Sequence, residues 1–272
     1  ELYASIYSLL TIQFPDLAPH VHFINQSSYS EAPNLTVPQI KNVIAVASGK
    51  GGVGKSTVSV SLAVALRDLG YKTGLMDADL YGPSMPTMLG IQSLKPQVVM
   101  IEGKPKLVPI EVEGIHTVSL GNIIEAEQAV VLRGPRLAAI IKQFFQDTEW
   151  PELDFLIIDL PPGTGDIQLT LVQTVPLTGA VIVTTPQEVS YVDALKAANM
   201  LLMDQISVPI LGVIENMSWF EPDDQPAKRY YIFGSGAGER LAVKTNSTLL
   251  GQVPIKEKVR SDFDTGHAMH TP

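Results

Sequence analysis

The run Gly49-Lys50-Gly51-Gly52-Val53-Gly54-Lys55-Ser56 restricts what this chain can become more than any other stretch of it. Four glycines in six residues allow a backbone path closed to most side chains, with successive N–H groups turned toward one point. The run follows an apolar, β-branched segment, Val43–Ser48, and opens a helical pattern, Lys55–Leu69. A helix beginning there adds the partial positive charge of its N-terminus to the same point. This is the G-x-x-x-x-G-K-[ST] loop in the setting that gives it meaning. Its natural occupant is a triphosphate, with the amides of Gly49, Gly51, Gly52, Val53 and Gly54 around the phosphate oxygens. Lys55 would neutralise the β- and γ-phosphates and the Ser56 hydroxyl would ligate Mg²⁺, with Thr57 in the same turn.

The same residues also spell G-x-G-x-x-G through Gly49, Gly51 and Gly54, with Asp77 near the place of a ribose-binding acid. That dinucleotide reading leaves the Lys55-Ser56 pair and the segment Asp159–Asp166 without a purpose. The triphosphate reading uses both.

Short apolar runs alternate with longer helical patterns on either side of the loop. Strands are expected near Val43–Ser48, Thr73–Asp77, Ile115–Leu120, Phe155–Asp159, Ala180–Thr184, Pro209–Ile214 and Ser247–Val253. Helices fit near Lys55–Leu69, Pro135–Gln146, Ile167–Thr174, Ser190–Asp204 and Gly236–Lys244, and a hairpin near Val98–Glu102 and Lys106–Ile110. Strands such as Phe155-Leu156-Ile157-Ile158 are apolar on both faces, as a parallel sheet between two helix layers requires. The fold class is therefore α/β, doubly wound, with a mostly parallel sheet of about seven or eight strands. Residues 1–24 read as part of a small α/β unit, 25–40 as a linker rich in Ser and Pro, and 41–272 as the nucleotide-binding domain.

Two acidic turns complete the pattern. Asp77-Ala78-Asp79-Leu80-Tyr81-Gly82-Pro83 leaves the second strand, and Asp159-Leu160-Pro161-Pro162-Gly163-Thr164-Gly165-Asp166 leaves the buried strand before it. Both place carboxylates at the carboxyl edge of the sheet beside the phosphate loop. One acid of the first pair can hold Mg²⁺ through water while the other orients an attacking water, and Asp159 can supply a further Mg²⁺ contact. Gly163 can offer its N–H to the γ-phosphate, and Asp166 is placed to cap the next helix.

Charge and composition remove several classes. Nineteen basic against 28 acidic residues give a formal charge of −9, which builds no broad positive field for nucleic acid or anionic lipid. No apolar run approaches the roughly 18 residues that span a bilayer, so a cytoplasmic protein is expected. There is no cysteine, hence no thiolate ligand or thiol nucleophile from these 272 residues. Trp219, Phe220, Tyr230, Tyr231 and Phe233 crowd one region beside Lys228 and Arg229, and read as aromatic packing over a hairpin or a docking surface. Gly234-Ser235-Gly236-Ala237-Gly238 opens a further helix but lacks a following Lys-Ser, and reads as a flexible helix start.

With Lys50 inside G-K-G-G-V-G-K-S, together with D-A-D-L-Y-G-P-S and D-L-P-P-G-T-G-D, the chain resembles the Mrp/ApbC ATPases. These are relatives of MinD, ParA and the nitrogenase iron protein, P-loop NTPases of the SIMIBI type with a deviant Walker A loop. The resemblance runs from about Ile40 to Arg260, through Arg133-Gly134-Pro135, Glu215-Asn216-Met217-Ser218 and Ile232-Phe233-Gly234. It implies ATP and Mg²⁺ as ligands, and a homodimer in which Lys50 reaches the phosphates held by the opposite subunit. It also implies Asp79 as the water-orienting acid, Asp159 as the Mg²⁺-side acid, and Asn216 and Pro254 at purine-binding positions. The family carries iron-sulfur clusters for apoprotein clients, many members through a Cys-x-x-Cys pair just after E-N-M-S. Pro222 and Gln225 stand in the two cysteine positions here. Two functions follow: a cluster carrier or assembly ATPase, or an ATP-driven dimerisation switch that binds a client without holding a cluster.

Overall fold

A computed structural model of the chain describes residues 37–79, 82, 84–123, 134–222, 224–225 and 228–270, with the backbone alone for 134–139. In chain order the strands are β1 (Ile40–Ala47), β2 (Thr73–Asp77), β3 (Gln97–Ile101), β4 (Lys104–Val108), β5 (Ile110–Val112), β6 (Ile115–Ser119), β7 (Leu153–Asp159), β8 (Gly179–Thr184), β9 (Ile210–Phe220) and β10 (Leu249–Ile255). The helices are α1 (Lys55–Asp68), α2 (Met85–Met88), α3 (Gly134–Asp147), α4 (Asp166–Thr174), α5 (Glu188–Leu201), α6 (Ala237–Lys244) and α7 (Glu257–Asp264).

Eight strands form one sheet in the order β10-β9-β8-β1-β7-β2-β6-β5, and β3 pairs with β4 in a separate ribbon. Every neighbouring pair in the large sheet is parallel except β5 with β6. The two-residue period of a strand divides its side chains between two helix layers. Ile44 and Val46 of β1 pack with Val60 and Val64 of α1 and with Phe263 of α7. Ala45 and Ala47 join the opposite layer, with Ile141 and Phe145 of α3, Leu171 of α4, Ala198 of α5 and Leu241 of α6. All residues of β8, and those of β1 from Val43 onward, are buried, which explains why these strands read as continuous apolar runs.

The doubly wound parallel architecture expected from the sequence is thus present. The chain crosses from β1 to β2 with β7 between them, and later fills β8, β9 and β10 on the other side of β1. Loops that diverge at the carboxyl end of β1 leave a crevice there, and the glycine-rich run lies in it.

Several boundaries differ from the sequence reading. β9 continues past Ile214 to Phe220, carrying Asn216 inside a strand rather than in a turn after one. The segment expected as a single second hairpin arm is split into β4 and β5, because Ile110–Val112 turns to pair with β6. Asp166 is the first residue of α4, following Gly165 at the cap position, so its charge faces the helix N-terminus without a side-chain cap. Two helices, α2 and α7, were not expected. The amino-terminal unit 1–24, most of the linker, Leu80, Tyr81, Pro83 and Arg133 lie outside the described residues.

Candidate nucleotide site

β1 delivers the glycine-rich loop to the sheet edge, and three contacts hold it there. The Ser48 hydroxyl donates to the Lys50 carbonyl at 3.0 Å. Gly49 lies against the backbone of α5, where any Cβ would collide with the Asp193 carbonyl. From β9, the Asn216 Nδ2 donates to the Val53 carbonyl at 2.9 Å and occupies the space a side chain on Gly54 would need. Gly52 and Gly54 have φ of 78° and 81°, and Gly54 passes straight into α1. A loop of this shape is held from two sides by the protein's own groups.

Asp77 and Asp159 end adjacent parallel strands in direct register. Asp159 is fully buried and heavily engaged. Its Oδ2 accepts from the Ser56 hydroxyl at 2.6 Å and lies 2.7 Å from Lys55 Nζ, while its Oδ1 accepts from the Ser59 hydroxyl at 2.6 Å. One carboxylate oxygen thus holds both the Lys55 ammonium and the Ser56 hydroxyl. Asp77 accepts from the Ser119 hydroxyl at 2.9 Å and from the Asp79 N–H at 3.1 Å. Burial, and then the neighbouring Asp159, push its carboxyl up to about 7, against those two hydrogen bonds and the charge of Lys55. Asp79 is also buried, with Oδ2 3.9 Å from Lys55 Nζ.

Over these groups opens a cleft of 420 Å³ whose lining includes Lys50, Gly51, Lys55, Ser56, Thr57 and Asp79. The structure therefore brings together the loop, both lysines and the first-turn acids that the sequence singled out. The hydroxyl of Ser56 and the carboxyl oxygens of Asp77 and Asp159 form an all-oxygen donor set, which suits a hard divalent cation such as Mg²⁺. Gly163 differs in detail. Its N–H donates to the Ser48 carbonyl at 3.0 Å, with φ at 97°, so in this arrangement it is committed to the base of the loop. Pro254 lies in β10, where the register with β9 shifts between Val253 and Ile255, and it is not part of the cleft lining.

Sequence reasoning missed three residues. Ser59 and Ser119 each give a buried hydroxyl to one of the two acids, and serine in a helix or at a strand end carries no signal of that kind. Glu215 is fully buried and accepts from the Gly238 N–H at 2.7 Å, Gln252 Nε2 at 2.7 Å and the Ser218 hydroxyl at 3.0 Å. Its carboxylate occupies the helix start at Gly238. The pairing of a buried acid with a glycine-rich helix start 23 residues later was the available clue.

The chain comes back on itself where Phe220 pairs with Tyr230, with two cations set against its aromatic rings. Phe220 and Tyr230 exchange backbone hydrogen bonds of 2.9 and 3.0 Å, the Arg229 guanidinium stacks 4.3 Å from the Trp219 ring, and Lys228 Nζ lies 4.8 Å from the Tyr230 ring. This agrees with aromatic packing over a hairpin, and Tyr231 and Ile232 stay exposed. Among the described residues no group of three or more His, Cys, Asp and Glu side chains is arranged to hold a metal ion.

A parallel sheet with this loop at its switch point, and acids on the two neighbouring strands, defines a P-loop nucleotide-binding protein. The chain belongs to the ParA family of NUBPL iron-transfer P-loop NTPases, whose profile matches residues 39–272. It is 51% identical over 231 residues to a Synechocystis protein named iron-sulfur cluster carrier protein, covering 85% of this chain and 65% of that relative. The chain thus spans just under two thirds of that protein's length. Among solved structures, the nucleotide-binding protein of Archaeoglobus fulgidus in complex with ADP is 37% identical, with a TM-score of 0.74 over 86% of this chain and 90% of that one. The cell division ATPase MinD of Pyrococcus furiosus shares the fold at 22% identity and a TM-score of 0.59, covering 84% of this chain and 90% of its own. Among the described residues no helix is long and apolar enough to cross a membrane.

Proposed function

We propose that this chain is a Mg²⁺-dependent ATPase of iron-sulfur cluster assembly, which handles clusters destined for apoprotein clients. The observation that carries the reading is Asp159, which grips Lys55 and Ser56 at the mouth of the glycine-rich loop. A polyanion and its cation would call on that same pair of residues, the lysine for the phosphates and the hydroxyl for the metal. The relatives named iron-sulfur cluster carrier proteins supply the process that the nucleotide serves.

On nucleotide binding, Lys55 leaves Asp159 for the β- and γ-phosphates, and the amides from Gly49 to Gly54 enclose the phosphate chain. Ser56, Asp77 and Asp159 would hold magnesium, which draws charge from the phosphate oxygens when bound. Asp79, on the cleft wall, orients the water for in-line attack on the γ-phosphate. Lys50 lies at the cleft and acts on the phosphates of a second copy in a homodimer, as a cation supplied in trans. Asn216 fixes the loop on which the nucleotide sits, and the purine contact that the family resemblance gives to Asn216 and Pro254 would have to be made outside the present cleft lining.

The cluster is cargo, and its ligands are ordinarily thiolates. With no cysteine in these 272 residues, and Pro222 and Gln225 at the expected pair, the thiolates come from outside this stretch. That feature favours, as the second reading, an ATP-driven dimerisation switch that binds a client and carries no cluster.

The test combines turnover with iron. Wild-type protein should hydrolyse ATP only with Mg²⁺, and Lys55→Ala should not. Anaerobic reconstitution with iron and sulfide should load cluster in the presence of a cysteine-bearing apoprotein. Cluster on neither protein, with ATP turnover intact, would leave the switch reading in its place.

A further inference from the structure

We infer that Ser59 is a positioning residue for the magnesium-side acid: its buried hydroxyl holds one oxygen of Asp159 so that the other stays aimed at the cation. This inference rests on the Mg²⁺-nucleotide reading of the site.

Three groups hold Asp159 in the structure, and two of them are required elsewhere once nucleotide binds. Lys55 is the cation for the phosphates, and the Ser56 hydroxyl is the ligand for magnesium. Both engage Oδ2. Among the described residues Ser59 alone engages Oδ1, at 2.6 Å, the length of a charge-assisted O–H···O bond. It is fully buried and faces no part of the cleft lining, so it has no competing ligand to serve. Its hydroxyl also lies 3.0 Å from the Lys55 carbonyl, but a single proton goes to the nearer and more strongly accepting oxygen. Ser56 and Ser59 are three residues apart on α1 and therefore present one face to the acid.

A hydroxyl at this point is not explained by the helix. Alanine is the better helix former, and a buried hydroxyl must be given a partner. Residues that orient a metal ligand in this way set the ligand's basicity and geometry, and their loss weakens metal binding without removing a ligand. Asp77 has its own counterpart in Ser119, but both of its oxygens are already engaged by groups that need not move. Asp159 is the acid whose other partners leave, and Ser59 is the one that remains.

The experiment measures nucleotide binding rather than turnover. A fluorescent ATP analogue is titrated onto the full chain in EDTA, and then Mg²⁺ is titrated at fixed analogue. In Ser59→Ala the affinity in EDTA should match wild type, while the Mg²⁺ concentration for half-maximal tightening rises by roughly tenfold. Ser59→Thr, which keeps the hydroxyl, should restore the wild-type Mg²⁺ midpoint. Should Ser59→Ala fail to fold, Ser59→Cys offers nearly the same shape with a weak donor and should show the same rise. A folded Ser59→Ala or Ser59→Cys with an unchanged Mg²⁺ midpoint overturns the role given to Ser59. A wild-type protein that binds the analogue in neither condition overturns the nucleotide reading instead, before any variant is compared.

Discussion

Asp77 and Asp159 face each other across β2 and β7, each the last residue of its strand, and both are buried. Two acids so placed cannot both be charged without a cation between or beside them. Lys55 sits on Asp159, and the carboxyl of Asp77 is pushed up to about 7 by burial and by Asp159.

The pH dependence of the metal-free protein follows with a definite sign. Between the ordinary carboxylate value near 4 and about 7, the folded protein keeps a proton on Asp77 that the unfolded chain has lost. This group therefore favours the fold as pH falls through that window and opposes it as pH rises. Asp77→Asn, a stand-in for the protonated acid, should gain on wild type between pH 5 and pH 8 by on the order of 2 kcal/mol in urea unfolding. Saturating Mg²⁺-ATP should remove most of the difference. A stability gap that is flat across that range would refute the protonated form of Asp77.

The lysines and Asp79 separate by what each loses. Lys55→Ala should abolish nucleotide binding and also destabilise the empty protein by about 3 kcal/mol, since it leaves a buried acid short of its cation. Asp79→Ala should bind ATP but hydrolyse it slowly. Lys50→Ala should lower turnover on the order of 10³-fold. Wild-type turnover per molecule should rise with protein concentration, and that rise should vanish in Lys50→Ala. Steady-state phosphate release over a dilution series decides the matter.

Glu215 predicts a large stability effect away from the nucleotide. Glu215→Ala strands the Gly238 N–H and the Gln252 amide in a buried site, while the Ser218 hydroxyl keeps the Glu215 backbone carbonyl at 2.7 Å, and the substitution should cost about 3 kcal/mol. Glu215→Gln should cost less, because one oxygen survives. Denaturant midpoints of the two variants should fall in that order, and equal midpoints would show that the carboxyl group matters only for its shape.

Gly163 tests whether the second acidic turn must rearrange. At φ 97° an added Cβ is strained though no atom stands within 4 Å of it. Gly163→Ala should therefore cost about 1 kcal/mol in stability from backbone strain alone. If release of its N–H from Ser48 accompanies hydrolysis, the variant should also alter turnover at unchanged affinity for ADP. Equal kcat in both proteins would fix this turn as static.

Much of this molecule was legible in the chain because buried parallel strands leave a crude signal. Phe155–Ile158 and Ala180–Val183 have no polar residue, and the glycine run between a strand and a helix admits few readings. The extension of β9 was not legible. Asn216 and Ser218 interrupt the apolar run with polar side chains, yet the loop and Glu215 satisfy those groups, so the strand continues through them. α7 was missed because only Phe263 of its eight residues is buried, too little to impose a period. Ser59 was invisible for a different reason. Its meaning depends on Asp159, one hundred residues away, and only the β1–β7 pairing brings the two within reach.

The ion pair of Lys55 with Asp159 sets a condition on whatever is to recruit that lysine. A lone small anion that draws Lys55 away leaves Asp159 with serine hydroxyls and no cation, whereas a polyphosphate arriving with its own divalent counterion would repair both halves in one exchange. On the proposed reading, that contact would rank guests by the company they bring.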